Sequence, residues 1–355
     1  MKPRNPSPRP SPRPSLRPYL IRPFALLAGL AAALVLAVGD FAQAQTDIVP
    51  RMQEPPRSWA REFPLADFSR ATIDFDEVLS GGPPRDGIPA IDDPVFVSLA
   101  EASERFAPTE PVIGLEINGE ARAYPLQVLT WHEIANDVVG GVPVAVTYCP
   151  LCNAAIVFDT RINGVAHDFG VSGRLRKSDM IMYDRQTESW WQQFSGNGVV
   201  GTYAGLKLTK LPSRIESFEA FAARFPEGQV LVPNNDALRP YGRNPYRAYD
   251  AENGRPFLYS GDMPNDIAPM ARVVIAEGYE DRAFALSLLA EQGVYRDGAL
   301  EITWTAGQNS ALDSAVIAEG RDVGNIVVQE VASDGSRRDI VYDLTFAFVY
   351  TAFIE

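Results

Sequence analysis

The chain has 355 residues, with 45 acidic against 32 basic side chains, two cysteines, two histidines and a net charge of −13. Such acidity speaks against nucleic acid or anionic membrane as a partner, because binding there depends on Lys and Arg displacing counterions. A chain of this length buries a large core unaided, and two cysteines are too few for a disulfide scaffold.

Met1 to Arg22 carries Lys2, Arg4, Arg9, Arg13, Arg17 and Arg22, and Phe24 to Val38 is an apolar run. Ala42-Gln43-Ala44 supplies the small residues of a signal-peptidase site, so residues 1–44 read as a signal peptide cleaved after Ala44. The expected destination is the periplasm or the extracellular space. The apolar run is shorter than the roughly 20 residues that cross a bilayer, so no stable membrane insertion is expected after cleavage. No cysteine follows it at a lipoprotein site. Removing six of the 32 basic and one of the 45 acidic residues leaves a mature net charge of −18.

Residues 45–109 read as an extended N-terminal arm, Gln45 to about Phe68, followed by a Gly- and Pro-rich loop over Ser80 to Pro94. That loop has too many breakers for a helix or central strand. It is either a packed connector or a lid that brings Arg85, Asp86 or Asp92 to the cysteines.

A first unit spans 110–205. Ile113–Ile117, the turn Asn118-Gly119 and Ala121–Tyr124 form a predicted β-hairpin. Leu126 to Asn136 is predicted helical and carries His132. Val142 to Cys149 and Ala154 to Phe158 are predicted strands around Cys149-Pro-Leu-Cys152. Further strands are expected at Val165–Val171, Met180–Tyr183 and Trp190–Phe194, with a turn at Asn163-Gly164. Residues 206–267 link this unit to the rest. They hold a predicted helix over Ser213–Phe225, opened by a capping box of Ser213 with Glu216 and stopped before Pro226, and loops bearing Tyr241, Tyr246, Tyr249 and Tyr259.

Residues 268–355 read as a second, degenerate copy of the first unit. Glu120-Ala-Arg-Ala-Tyr-Pro-Leu-Gln-Val-Leu129 matches Glu280-Asp-Arg-Ala-Phe-Ala-Leu-Ser-Leu-Leu289, and Met182-Tyr-Asp184 matches Val341-Tyr-Asp343. The expected fold is therefore α+β and β-rich, with two diverged copies of a ββαβ-plus-hairpins unit. In that alignment Gln292 replaces His132, Ala306 and Asn309 replace Cys149 and Cys152, and Arg321 replaces His167, whereas Asp168, Tyr183 and Asp184 persist as Asp322, Tyr342 and Asp343. A requirement of the fold should appear in both copies, so the cysteines and histidines point to a site confined to the first.

Both cysteines and both histidines fall between positions 132 and 167. Two cysteines three apart grip one metal ion, and a Cys, Cys, His, His set suits zinc or, with a methionine, copper(I). The metal reading takes Cys149, Cys152 and His132 as ligands, with His167 or Met182 as the fourth; Met180 is a further candidate. A second reading is a thiol-redox or thiolate-nucleophile enzyme, with Cys149 attacking, Cys152 resolving, and His132 and Glu133 setting the thiolate fraction. The strand expected after Cys152 leaves that thiolate without a helix N-terminus. A third is a ligand-binding module with a structural disulfide, its ligand held by the tyrosine-rich loop. Each residue also has a plainer role: His132 in interface packing, His167 as a surface partner of Asp168, Met180 and Met182 in the core. A partner, if one exists, is a small molecule or a metal-delivery protein. No phosphate-binding loop, dinucleotide fingerprint, His-Glu-x-x-His or Gly-x-Ser-x-Gly occurs.

Ser80-Gly-Gly-Pro-Pro-Arg-Asp-Gly-Ile-Pro-Ala-Ile-Asp-Asp-Pro94, Trp131-His-Glu-Ile-Ala-Asn-Asp137, Pro143-Val-Ala-Val-Thr-Tyr-Cys-Pro-Leu-Cys152 and Ser178-Asp-Met-Ile-Met-Tyr-Asp-Arg-Gln-Thr187 together resemble the secreted prokaryotic proteins grouped as domain of unknown function 3179. The resemblance runs from about Asp74 to the C-terminus. It implies that His132, Glu133, Asn136, Asp137, Cys149, Cys152, Arg174, Ser178, Asp179, Asp184 and Gln192 match motif positions of that family, and it implies no activity.

Overall fold

Antiparallel strands dominate the computed structural model, which describes residues 54–251 and 253–354, and the helices are short. β-branched and aromatic runs fit a pleated, buried surface, which is why segments such as Val142–Cys149 pair rather than coil. The segment read as a signal peptide lies outside the described residues. Among those described, no helix is long and apolar enough to cross a membrane.

Two sheets position the site. One has the order Thr209–Leu211, Ala154–Asp159, Val142–Cys149, Ile134–Val139; the other has Val78–Ser80, Phe169–Arg176, Asp179–Asp184, Trp190–Gln192, Gly198–Val200. Their inner faces share one core, in which Cys149, Cys152, Ile156 and Phe158 of the first meet Phe169, Met180, Met182 and Trp191 of the second. The same core takes Val273, Leu312, Phe346 and Phe348 from the C-terminal part of the chain. The element order strand, strand, helix, strand, strand runs from Pro111 to Cys149 and again from Arg272 to Thr305.

The hairpin turns fall where their sequences place them: Asn118 and Gly119 have φ of 52° and 86°, Asn163 and Gly164 of 52° and 81°. Several predicted elements differ. The helix beginning at Leu126 ends at His132, because Glu133 turns the chain at φ 59° and Ile134–Val139 then pairs as a strand. The helix expected from Ser213 begins at Phe218. Arg214–Ser217 is a strand laddered to Pro111–Gly114, and Ser217 is the cap, accepting the Ala220 N–H. Ladder pairing outcompetes the local capping box. The strand expected over Val165–Val171 breaks at His167-Asp168, leaving Val165–Ala166 and Phe169–Arg176, and the one from Trp190 stops at Gln192.

Within the segment read as an extended arm, Arg57–Glu62 is a helix, and Trp59, Phe63 and Phe68 pack around Trp190. The Gly- and Pro-rich loop is a packed connector. Arg85 donates to the Glu62 carbonyl and Glu188, Asp86 accepts from the Tyr183 hydroxyl, and Asp92 accepts from Asn136. These bonds hold all three side chains to neighbours other than the cysteine turn.

Candidate metal centre

The site is built from two hairpin ends. Cys149 closes its strand, and Pro150-Leu151-Cys152-Asn153 turns the chain through the bonds Cys152 N–H to Cys149 O (3.2 Å) and Asn153 N–H to Pro150 O (3.2 Å). Asn153, at φ 50°, brings Ala154 directly opposite Cys149. The second hairpin turns on Lys177 and Ser178, with φ of 54° and 66°, and starts its return strand at Asp179. Two consecutive residues with positive φ suit the twist of a two-residue hairpin but normally call for Asn or Gly. Ser178 is fully buried there and donates its hydroxyl to the Phe257 carbonyl at 2.5 Å.

These turns bring one ligand atom each from Cys149, Cys152 and Asp179 within 4.8 Å of one another, all buried. Both cysteines are free. Ligands bound to zinc at about 2.3 Å would stand about 3.8 Å apart around a tetrahedron, so the group needs only a small contraction to close on an ion. Asp179 is oriented from behind: its Oδ2 accepts from Gln192 Nε2 (2.6 Å) and from the Phe194 N–H (2.9 Å). Among the described residues its buried Oδ1 receives no N–H or O–H bond, and both thiols are polar neighbours of the carboxylate. A carboxylate held by one oxygen with the other presented is the arrangement that supporting residues impose on metal ligands.

The electrostatics agree. Burial pushes the Cys149 thiol up and the Cys152 thiol well up, and pushes Asp179 up to about 6. Glu133, beside them, is raised to about 8 by burial and by the Asp179 charge. Burial is the largest cause of the shift in each of the four. Buried acids without a cation are costly to ionise, and a divalent ion would remove that cost. A thiolate nucleophile needs the opposite setting, a lowered pKa at a helix N-terminus or beside a cation. Here the chain leaves Cys152 as the strand Ala154–Asp159.

The histidines are engaged elsewhere. His132 Nδ1–H donates to the Pro89 carbonyl and Nε2 accepts from the Tyr241 hydroxyl, both at 2.7 Å. Burial lowers its pKa, with Arg239 adding to the effect. His167 Nδ1–H donates to the Val165 carbonyl (2.8 Å) and Nε2 accepts from Tyr203 (3.2 Å). With both ring nitrogens occupied, neither histidine belongs to the cysteine–aspartate group. Met180 and Met182 lie in the same hydrophobic core as the cysteines.

The remaining motif positions divide by role. Ser178, Asp179 and Gln192 build the site, whereas Asn136 ties Phe169 to Asp92 and Asp137 accepts from Tyr124 and Arg122. Arg174 pairs with Glu62, and Asp184 accepts from Thr187 and Trp191. The tyrosine-rich loop covers the cysteine turn through the Tyr249 hydroxyl, which donates to the Leu151 carbonyl at 3.1 Å.

The sequence marked Asp179 as a motif position without grouping it with the cysteines. The available signal was its place immediately after a two-residue turn between strands, the same kind of place as Cys149 before its own turn.

The family model described as "Protein of unknown function (DUF3179)" matches residues 85–355. No curated protein and no solved structure matches the chain.

Proposed function

Since the chain belongs to the DUF3179 family, whose description carries no activity, we propose its function from its own residues: an exported protein that binds one zinc ion through Cys149, Cys152 and Asp179. The observation that carries this reading is the buried Asp179 Oδ1, left without an N–H or O–H donor beside two free, buried thiols. A mixed set of two thiolates and one carboxylate suits zinc; copper(I) prefers thiolate and thioether and gains little from a carboxylate. Three protein ligands leave one position for water or a small molecule, where a bound zinc ion would act as a Lewis acid. Export rests on the reading of residues 1–44. In an oxidising compartment an occupied site would also keep the thiols from pairing.

The inferred duplication supports a site private to the first half. The Glu133 N–H bonds to Leu129 O and its carbonyl receives Tyr148 N–H; the Gly293 N–H bonds to Leu289 O and its carbonyl receives Trp304 N–H. In this register Cys149 corresponds to Thr305 rather than Ala306, and the tight cysteine turn corresponds to a long connection over 306–324. The second copy then has no counterpart of the cysteine turn.

Competition of the reduced protein with a chromophoric zinc chelator tests the reading. One zinc per chain is expected, with at least about a hundredfold weaker binding in Cys149→Ser and Asp179→Asn. Undiminished affinity in Asp179→Asn would sink it.

A further inference from the structure

Glu133 occupies its position at two costs. It has φ 59° and ψ −31°, immediately after the helix Leu126–His132. Gly293 follows the helix Leu286–Gln292 at φ 70° and ψ −44°, with the same backbone bonds before and after it. That conformation is suited to glycine, and a residue with a Cβ is strained in it. The second cost is the carboxyl: Glu133 is only 8% exposed, and burial together with the Asp179 charge opposes its ionisation. Stability alone would favour glycine, as at position 293. What Glu133 gains is a location: its carbonyl receives the N–H of Tyr148 at 2.8 Å, next to Cys149, its charge acts on Cys149 and Tyr246, and it feels the charge of Asp179.

We propose that Glu133 is a functional residue of the metal centre, held in a strained conformation so that its carboxylate accepts a hydrogen bond from the water, or another small O–H or N–H donor, bound at the ion's fourth position. This rests on the zinc reading above. Glu133 is not one of the three residues whose ligand atoms lie within 4.8 Å of one another, so it acts on the exogenous ligand rather than as a ligand itself. An ion whose fourth position faces a carboxylate is poised to activate the molecule bound there, whereas a purely structural zinc site is closed by a fourth protein ligand.

Cobalt(II), added to the reduced, metal-free protein, is the probe. The wild type should show thiolate-to-cobalt charge-transfer bands and a tetrahedral ligand-field envelope. In Glu133→Gly the charge-transfer bands should persist, the ligand-field envelope should shift and the affinity should fall about tenfold. The metal-free Glu133→Gly protein should melt about 2 °C above wild type, because the strain is gone. Glu133→Gln keeps the Cβ and loses the carboxylate; it should reproduce the spectral shift with a smaller gain in melting temperature. A wild type that binds no cobalt overturns the metal reading, and this inference with it. A wild type that binds, with both variants unchanged in affinity and envelope, overturns only the role of Glu133. So does a metal-free Glu133→Gly that melts below wild type.

Discussion

Three buried carboxyls make the metal-free protein sensitive to pH in an unusual direction. Burial raises Asp179 to about 6, Glu110 to about 7 and Glu133 to about 8, the last with help from the Asp179 charge. Each folded value exceeds the ordinary carboxyl value, so the folded state holds protons that the unfolded chain would release. Their contribution to stability is complete below the unfolded values, near pH 4, and is lost as the pH rises through the folded ones. The chelator-treated protein should therefore melt at progressively lower temperature between about pH 5 and pH 8, and the increment produced by zinc should grow across the same window, since the ligands must be deprotonated to bind. A melting temperature that rises with pH in the metal-free protein would contradict this. At this scale the cysteines were legible because they are the chain's only two and lie three apart. The histidines drew attention for the same reason of rarity, yet their ring nitrogens are taken by Pro89, Tyr241, Val165 and Tyr203, three of them distant in sequence from the histidine they bind.

At the scale of elements, turn chemistry read well and helix boundaries did not. Asn-Gly pairs at 118–119 and 163–164 encode their own conformation, so no tertiary contact had to be known. The helix after Leu211 is a different case: Ser213 and Glu216 satisfy a local capping rule, but a neighbouring strand claims Arg214–Ser217 first. The cap is Ser217, so Ser217→Ala should cost about 1 kcal/mol in denaturant unfolding and Ser213→Ala close to nothing. Equal effects would mean that the helix starts earlier than described. The hairpin that delivers Asp179 could not be read from residue preference, because Lys177 and Ser178 are poor residues for two positive φ angles. Part of what holds them is tertiary: Lys177 Nζ donates to the Ala352 carbonyl, and Ser178 Oγ to that of Phe257. Glu133 follows the same rule, since local preference fails where a side chain is needed in a particular place.

Across the whole molecule, the two halves are one folding unit. One core joins Ile113 and Val146 to Val274, Leu300 and Ile326, and another joins Cys149 and Met180 to Val273, Leu312 and Phe346. The strand Tyr342–Phe346 also clamps the cysteine turn, with Thr345 Oγ–H (2.7 Å) and the Phe346 N–H (3.3 Å) both donating to the Cys152 carbonyl. Fragments 54–267 and 268–355 should each fail to fold alone, and the intact protein should unfold in a single calorimetric transition. A folded 54–267 fragment that still binds zinc would show that the second half is dispensable. The β-rich α+β class was readable from strand-like runs and turns; the long-range pairing that lets the C-terminal strand support the site was not, because no local pattern records it.

X-ray absorption at the zinc edge of the loaded, reduced protein reads the identity of the ligands themselves. Two sulfur scatterers at about 2.3 Å with oxygen scatterers at about 2.0 Å, and no imidazole multiple scattering, is the expected result. Imidazole scattering that disappears in His132→Ala or His167→Ala would contradict it and return a histidine to the metal.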